Sequence, residues 1–131
     1  MRDVTIGEEL TGLRGSLPGC EVVAFADLST GMVLASSTSS RHAQEKLDAL
    51  CDAGRDALSG PLAQDVSRAF GIDDAVVFQM AFLGDERGIM CFVRARRPAE
   101  EALCFVLSPD APLEGLQCLA VAMLSRLASE A

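Results

Sequence analysis

The strand-like segments of this chain fall into a pair and a triplet, with one long helical pattern between them. That grouping limits the fold more than any other feature. Cys20 to Leu28, rich in Val, Ala and Phe, and Met32 to Ser36 flank the turn Asp27-Leu28-Ser29-Thr30-Gly31, which makes an antiparallel hairpin. Ala75 to Leu83, Ile89 to Arg94 and Ala102 to Leu107 succeed one another across turns at Gly84–Gly88 and Arg96–Glu100. A doubly wound parallel sheet needs regular strand–helix alternation, which is absent. The pattern predicts an α+β chain: one antiparallel sheet with helices on its faces.

The helices read from their periodicity. Ile6, Leu10, Leu13 and Leu17 recur at steps of four, three and four, one face of a helix. Thr5 followed by Glu8 forms a capping box at its start, and Pro18-Gly19 stops it. Polar Ser36–Ser40 leads into a helix from Arg41 to about Ser59, with Ala43, Leu47, Leu50 and Leu58 near one stripe and Gly54 between them. Leu62, Val66 and Phe70 step by four, a short helical turn before Gly71. Ser108-Pro109-Asp110 is predicted to open a last helix reaching about Ala128, with Leu113, Leu116, Ala120, Met123 and Leu127 as its stripe. Cys118, Leu119, Val121 and Leu124 widen that stripe until it is apolar nearly all round. The order is α-β-β-α-β-β-β-α in a single domain spanning 1–131.

The composition is greasy and acidic at once. Half of the 131 residues are hydrophobic but only 5% are aromatic, and 11 Lys plus Arg stand against 19 Asp plus Glu, for a net charge of −8. Disorder is excluded by the apolar content. The charge argues against nucleic acid or an anionic membrane as main partner. Two acids, Glu8 and Glu9, follow too soon after the N-terminus for a signal peptide. The uncharged stretch Gly115 to Ser125 falls well short of the ~20 residues that span a bilayer. Five cysteines without a C-x-x-C pair suit reduced, buried thiols, so a cytoplasmic location is expected.

Chemistry-bearing patterns are sparse. No phosphate-binding G-x-x-x-x-G-K-[ST] is present, and no G-x-G-x-x-G follows a strand. The one histidine, His42, lacks a neighbouring cysteine for a metal site, and its pairing with Cys20 or Cys51 as a nucleophile has no local signature. Catalytic, cofactor-binding and metal-binding residues are therefore expected to be absent. Glu45, Asp48, Asp52 and Asp56 share one helix face, either simply solvated or a docking surface for a basic partner. Arg94, Arg96 and Arg97 gather at the end of the fourth strand, where they are expected to be solvated, with a salt-bridging rim as the alternative. Val76 to Leu83 is long, flat and free of Pro and charge, so it must be either central in its own sheet or covered by another chain.

This element order, with Leu10-x-x-Leu13-x-x-x-Leu17-Pro18-Gly19-Cys20 and Thr30-Gly31-Met32-Val33-Leu34-Ala35-Ser36, resembles the roadblock/LC7 (dynein light chain-like) domain family across about residues 5–128. Ser29-Thr30-Gly31 stands where that family usually has Asp-Gly. The resemblance implies a profilin-like three-layer domain: a five-stranded antiparallel sheet, first and last helices on one face, the middle helix on the other. It also implies a non-catalytic dimer joined by third strands and middle helices, here through Val76, Phe78, Met80, Phe82, Ala43, Leu47 and Leu50. The implied partners are a second copy or a paralogue and a small Ras-like GTPase, with Glu45, Asp48, Asp52 and Asp56 as docking residues. Two other classes make different demands. A small-molecule sensor of profilin-like or PAS-like architecture needs a cavity of ~300 Å³ or more between sheet and helix. A thiol enzyme needs a cysteine of low pKa.

Overall fold

The Thr5 hydroxyl accepts the N–H of Glu8 at 3.1 Å, and α1 (Ile6–Ser16) runs from that cap with Leu10 and Leu13 turned inward. The computed structural model describes residues 5–41, 44–72, 78–96 and 98–130. After α1 come β1 (Cys20–Asp27), β2 (Met32–Thr38), α2 (Gln44–Ser59), α3 (Pro61–Ala69), β3 (Met80–Asp85), β4 (Gly88–Arg94), β5 (Glu101–Leu107) and α4 (Leu116–Glu130). The strands form one sheet in the order β2-β1-β5-β4-β3, and every neighbouring pair is antiparallel. This is the α+β architecture that the pair and triplet of strands require.

Alternation along the strands builds two cores. Leu103, Phe105 and Leu107 of β5 join Val23, Phe25, Cys91 and Val93 beneath α1 and α4. Ala102 and Cys104 face the other way, with Val22, Ala24, Ala26 and Phe92 beneath α2. Sheets covered on both faces need strands that are apolar on both faces, which is why these runs show so little alternation. The residues below α2 are mostly small, so the helix lies close to the sheet. A Cβ at Gly54 would sit 2.8 Å from Cδ1 of Phe92 and 3.4 Å from Sγ of Cys104, so only glycine fits there without movement. On the opposite face, Arg126 of α4 holds the buried carboxylate of Glu9 in α1 at 2.5 Å. Arg14 Nε donates to Ser37 Oγ at 3.0 Å and anchors α1 over β2.

Three expectations are corrected. The run 75–83 is not one strand: β3 begins at Met80. Phe78 turns toward α2, donating its N–H to the carbonyl of Leu58 at 2.8 Å and packing on the α2-side core. Ala75, Val76 and Val77 lie outside the described residues, as do His42, Ala43 and Arg97. The last helix starts at Leu116 rather than at Ser108. Ser108 spends its hydroxyl on Asp110 in a local turn, and Gly115 takes φ +77, outside the right-handed helical region, so the helix begins only after it. Leu113 consequently falls outside the stripe and is exposed. Arg94 is buried rather than solvated: it donates to the carbonyl of Ala99 at 2.9 Å and faces Glu100 at 3.8 Å, tying β4 to the turn before β5. Arg96 is exposed. Among the described residues no helix is long and apolar enough to cross a membrane.

Candidate functional site

Among the described residues β3 lies at the end of the sheet and pairs only with β4. The choice left open by the sequence, central strand or edge strand, resolves to the edge. The β3–β4 turn is tight because the Asp85 carboxylate accepts the N–H groups of Arg87 and Gly88 at 2.8 and 3.2 Å. Met80 packs on the core under α1 and α4, Ala81 and Leu83 face the α2 side, and Phe82 remains 44% exposed. An edge strand with unpaired backbone and an exposed aromatic ring is a surface that proteins normally cover.

Beside that edge runs an apolar trough. Residues paired across the sheet form rows on the α2 side: Ala24, Cys104, Phe92 and Ala81 in one, Val22, Val106, Met90 and Leu83 in the next. Gly54 seats α2 on the first row. The second row is only partly covered, with Val106, Met90 and Leu83 half-buried. The resulting groove, about 430 Å³, is walled by Leu47, Ala49, Leu50 and Ala53 of α2 and floored by Val22, Met90 and Val106. Glu21 and Lys46 lie on its rim. A second hollow of about 390 Å³ shares Met90 and Val106 and reaches Leu83 along the β3–β4 hairpin.

The expected interface residues divide accordingly. Phe82 is at the surface, Phe78 and Met80 are half-buried in their own cores, and Leu47 and Leu50 are buried beneath α2. Val76 and Ala43 lie outside the described residues. Met90, Val106 and Leu83 were not singled out from the sequence, although the two-residue alternation of their strands already placed them on one face. Of the acids, Glu45, Asp48, Asp52 and Asp56 are all exposed on α2. Asp48 accepts from Gln44 Nε2 at 3.0 Å. Asp56 also supports the fold, since its carboxylate accepts the N–H of Leu62 at 2.9 Å and caps α3.

The thiols show the local electrostatics. Burial pushes the Cys51 thiol up, and the negative charges of Asp52 and Asp48 push it further, with Arg55 opposing. Burial likewise raises Cys20 to about 11, Cys91 to about 12, and Cys104 beyond that. Each of these four stays a thiol at neutral pH, the reverse of what a nucleophilic cysteine requires. Asp27 is held below the usual carboxylate range by Ser29 and Thr30, whose hydroxyls donate to it at 2.7 and 3.1 Å in the β1–β2 turn.

No protein-family model matches the sequence, and no curated protein does. Solved structures do match in shape. A roadblock/LC7 domain from Streptomyces avermitilis superposes with a TM-score of 0.73 over 92% of this chain and 92% of its own, at 12% identity. The chain has the roadblock/LC7 fold. The gliding protein MglB of Thermus thermophilus matches with a TM-score of 0.71 at 20% identity, over 100% of this chain and 96% of its own. Myxococcus xanthus MglB matches at 0.66 and 12%, over 96% and 94%. Relative to the order that the resemblance implies, α3 is an addition between α2 and the edge strand of this roadblock/LC7 fold.

Proposed function

We propose that this chain is a non-catalytic scaffold or regulator that pairs with a second copy of itself, or with a paralogue, through β3 and the trough. Its acidic α2 face, chiefly Glu45, Asp48 and Asp52, then meets a small Ras-like GTPase. The observation that carries the reading is the β3 edge itself: its unpaired backbone lies between exposed Phe82 on the sheet face toward α1 and α4 and the half-buried trough row Leu83, Met90 and Val106 on the α2 face. A partner's strand and helix would cover all of them together, at roughly 25 cal/mol per Å² of apolar area. The GTPase rests on the family resemblance and on the charge of α2, which steers a basic surface toward it. If GTP hydrolysis is accelerated, the expected route is repositioning of the partner's own catalytic groups.

The assembly is tested by light scattering at micromolar protein. Wild type is expected to be dimeric and Phe82→Lys monomeric but folded, since Phe82 contributes little to either core. A wild-type monomer at every concentration overturns the reading. Pulldown with GDP- and GTP-loaded GTPase tests the partner, and binding that ignores the nucleotide, or no binding, counts against it. The trough volume also exceeds the ~300 Å³ that a sensor for an apolar small molecule demands. That second reading predicts a monomer stabilised by such a ligand.

A further inference from the structure

The row Val22, Val106, Met90 and Leu83 crosses four adjacent strands, from β1 through β5 and β4 to the edge strand β3. At about 4.8 Å between strands, the trough above it is about 14 Å long. It is one row of side chains wide, because Gly54 seats α2 on the row beside it. Its hollows of about 430 and 390 Å³ share Met90 and Val106 and so join end to end. Ala49 and Ala53 keep the α2 wall low. Among the described residues no hydroxyl, side-chain amide or aromatic ring lines either hollow. A polar group inside would find no side-chain partner, and a ring system no plane to stack on. Shape and lining together select an unbranched aliphatic chain.

The polar groups stand at the ends. Glu21 and Lys46 flank the β1 end, and Asp85 and Arg87 the hairpin end. The Asp85 carboxylate already accepts the N–H groups of Arg87 and Gly88, whereas the Arg87 guanidinium forms no ion pair among the described residues. A negative head group is best met at that end. We propose that the trough binds a free long-chain carboxylate, its aliphatic chain along the row and its head at Arg87. The proposal rests on the second reading above, that an apolar small molecule enters the trough, and names the class of that molecule. A dodecyl chain matches the length of the row. Ligand and partner use the same apolar row, so each excludes the other, and the carboxylate sets how much of the chain is free to pair.

Isothermal titration calorimetry with dodecanoate below its micellar concentration, with light scattering on the same samples, tests it. Wild type is expected to bind one dodecanoate per chain. Ala49→Phe, which sets a ring in the trough from an exposed position, should abolish binding and leave the circular dichroism spectrum unchanged. Arg87→Glu should weaken dodecanoate about fivefold and leave dodecanol bound as in wild type. Any dimer present without ligand should dissociate as dodecanoate saturates. No saturable binding, or binding that neither substitution alters, overturns the proposal; a wild type that is dimeric in that case keeps its pairing through β3. A wild type that binds dodecanoate yet is monomeric at every concentration overturns the pairing alone.

Discussion

Alkaline pH should unfold this protein through its cysteines. The chain contains no Tyr and a single Lys, so few other groups titrate between about pH 8 and pH 10. Cys20, Cys51, Cys91 and Cys104 all have folded-state pKa values above the ordinary value of 9.0. Below pH 9 both states hold the protons and the stability is intact. Above it the unfolded chain releases protons that the folded chain keeps, so stability falls until the pH passes the folded values, about 11 for Cys20 and about 12 for Cys91. Moving from about pH 8 to about pH 10 costs about 1.4 kcal/mol for each thiol that stays protonated. Cys20, Cys91 and Cys104 together lose about 4 kcal/mol in this way, a large share of an ordinary domain's stability, and Cys51 adds to it. Urea unfolding followed by circular dichroism, with a non-thiol reductant at a series of pH values, measures it. Cys104→Ala should flatten the pH slope by about a quarter, whatever it does to stability at neutral pH. A midpoint that stays constant from about pH 8 to pH 10, or an unchanged slope in Cys104→Ala, refutes the reasoning.

Gly54→Ala should lose about 1 kcal/mol and a few degrees of Tm, because overpacking against Phe92 outweighs the helix-propensity gain of about 1 kcal/mol. Gly12→Ala, whose Cβ meets nothing within 4 Å, should raise Tm in the same calorimetric comparison; a rise at both positions contradicts the close seating of α2. Asp56→Ala should cost about 1 kcal/mol in urea unfolding and speed hydrogen exchange at the Leu62 amide. Unchanged stability with lost partner binding would instead return Asp56 to the docking face.

The sequence makes the layering legible because it is written in periodicity. The steps of Ile6, Leu10 and Leu13, the hairpin chemistry at Asp27–Gly31 and the grouping of strands each follow from local rules, and the structure reproduces them. Where local rules compete, the sequence is ambiguous. Ser108-Pro109-Asp110 has the residues of a helix start, yet Gly115 decides the boundary. Phe78 continues an apolar run by composition, yet its N–H goes to Leu58, twenty residues earlier. Arg94 is a surface residue by type, buried because the carbonyl of Ala99 and the carboxylate of Glu100 are waiting for it. The trough was the least legible part. It arises from register between strands distant in the chain, which sets Val22, Val106, Met90 and Leu83 in one row, and no short motif encodes that alignment.

The small side chains beneath α2 give the molecule an adjustable gap. Ala24, Ala26, Ala102 and Cys104 act as spacers of minimum thickness between helix and sheet. One added methyl group in that layer would raise α2 and widen the trough beside it, without altering a residue that a partner touches. Partner choice can therefore drift, or be engineered, from within the interior, while the surface that does the binding keeps its chemistry.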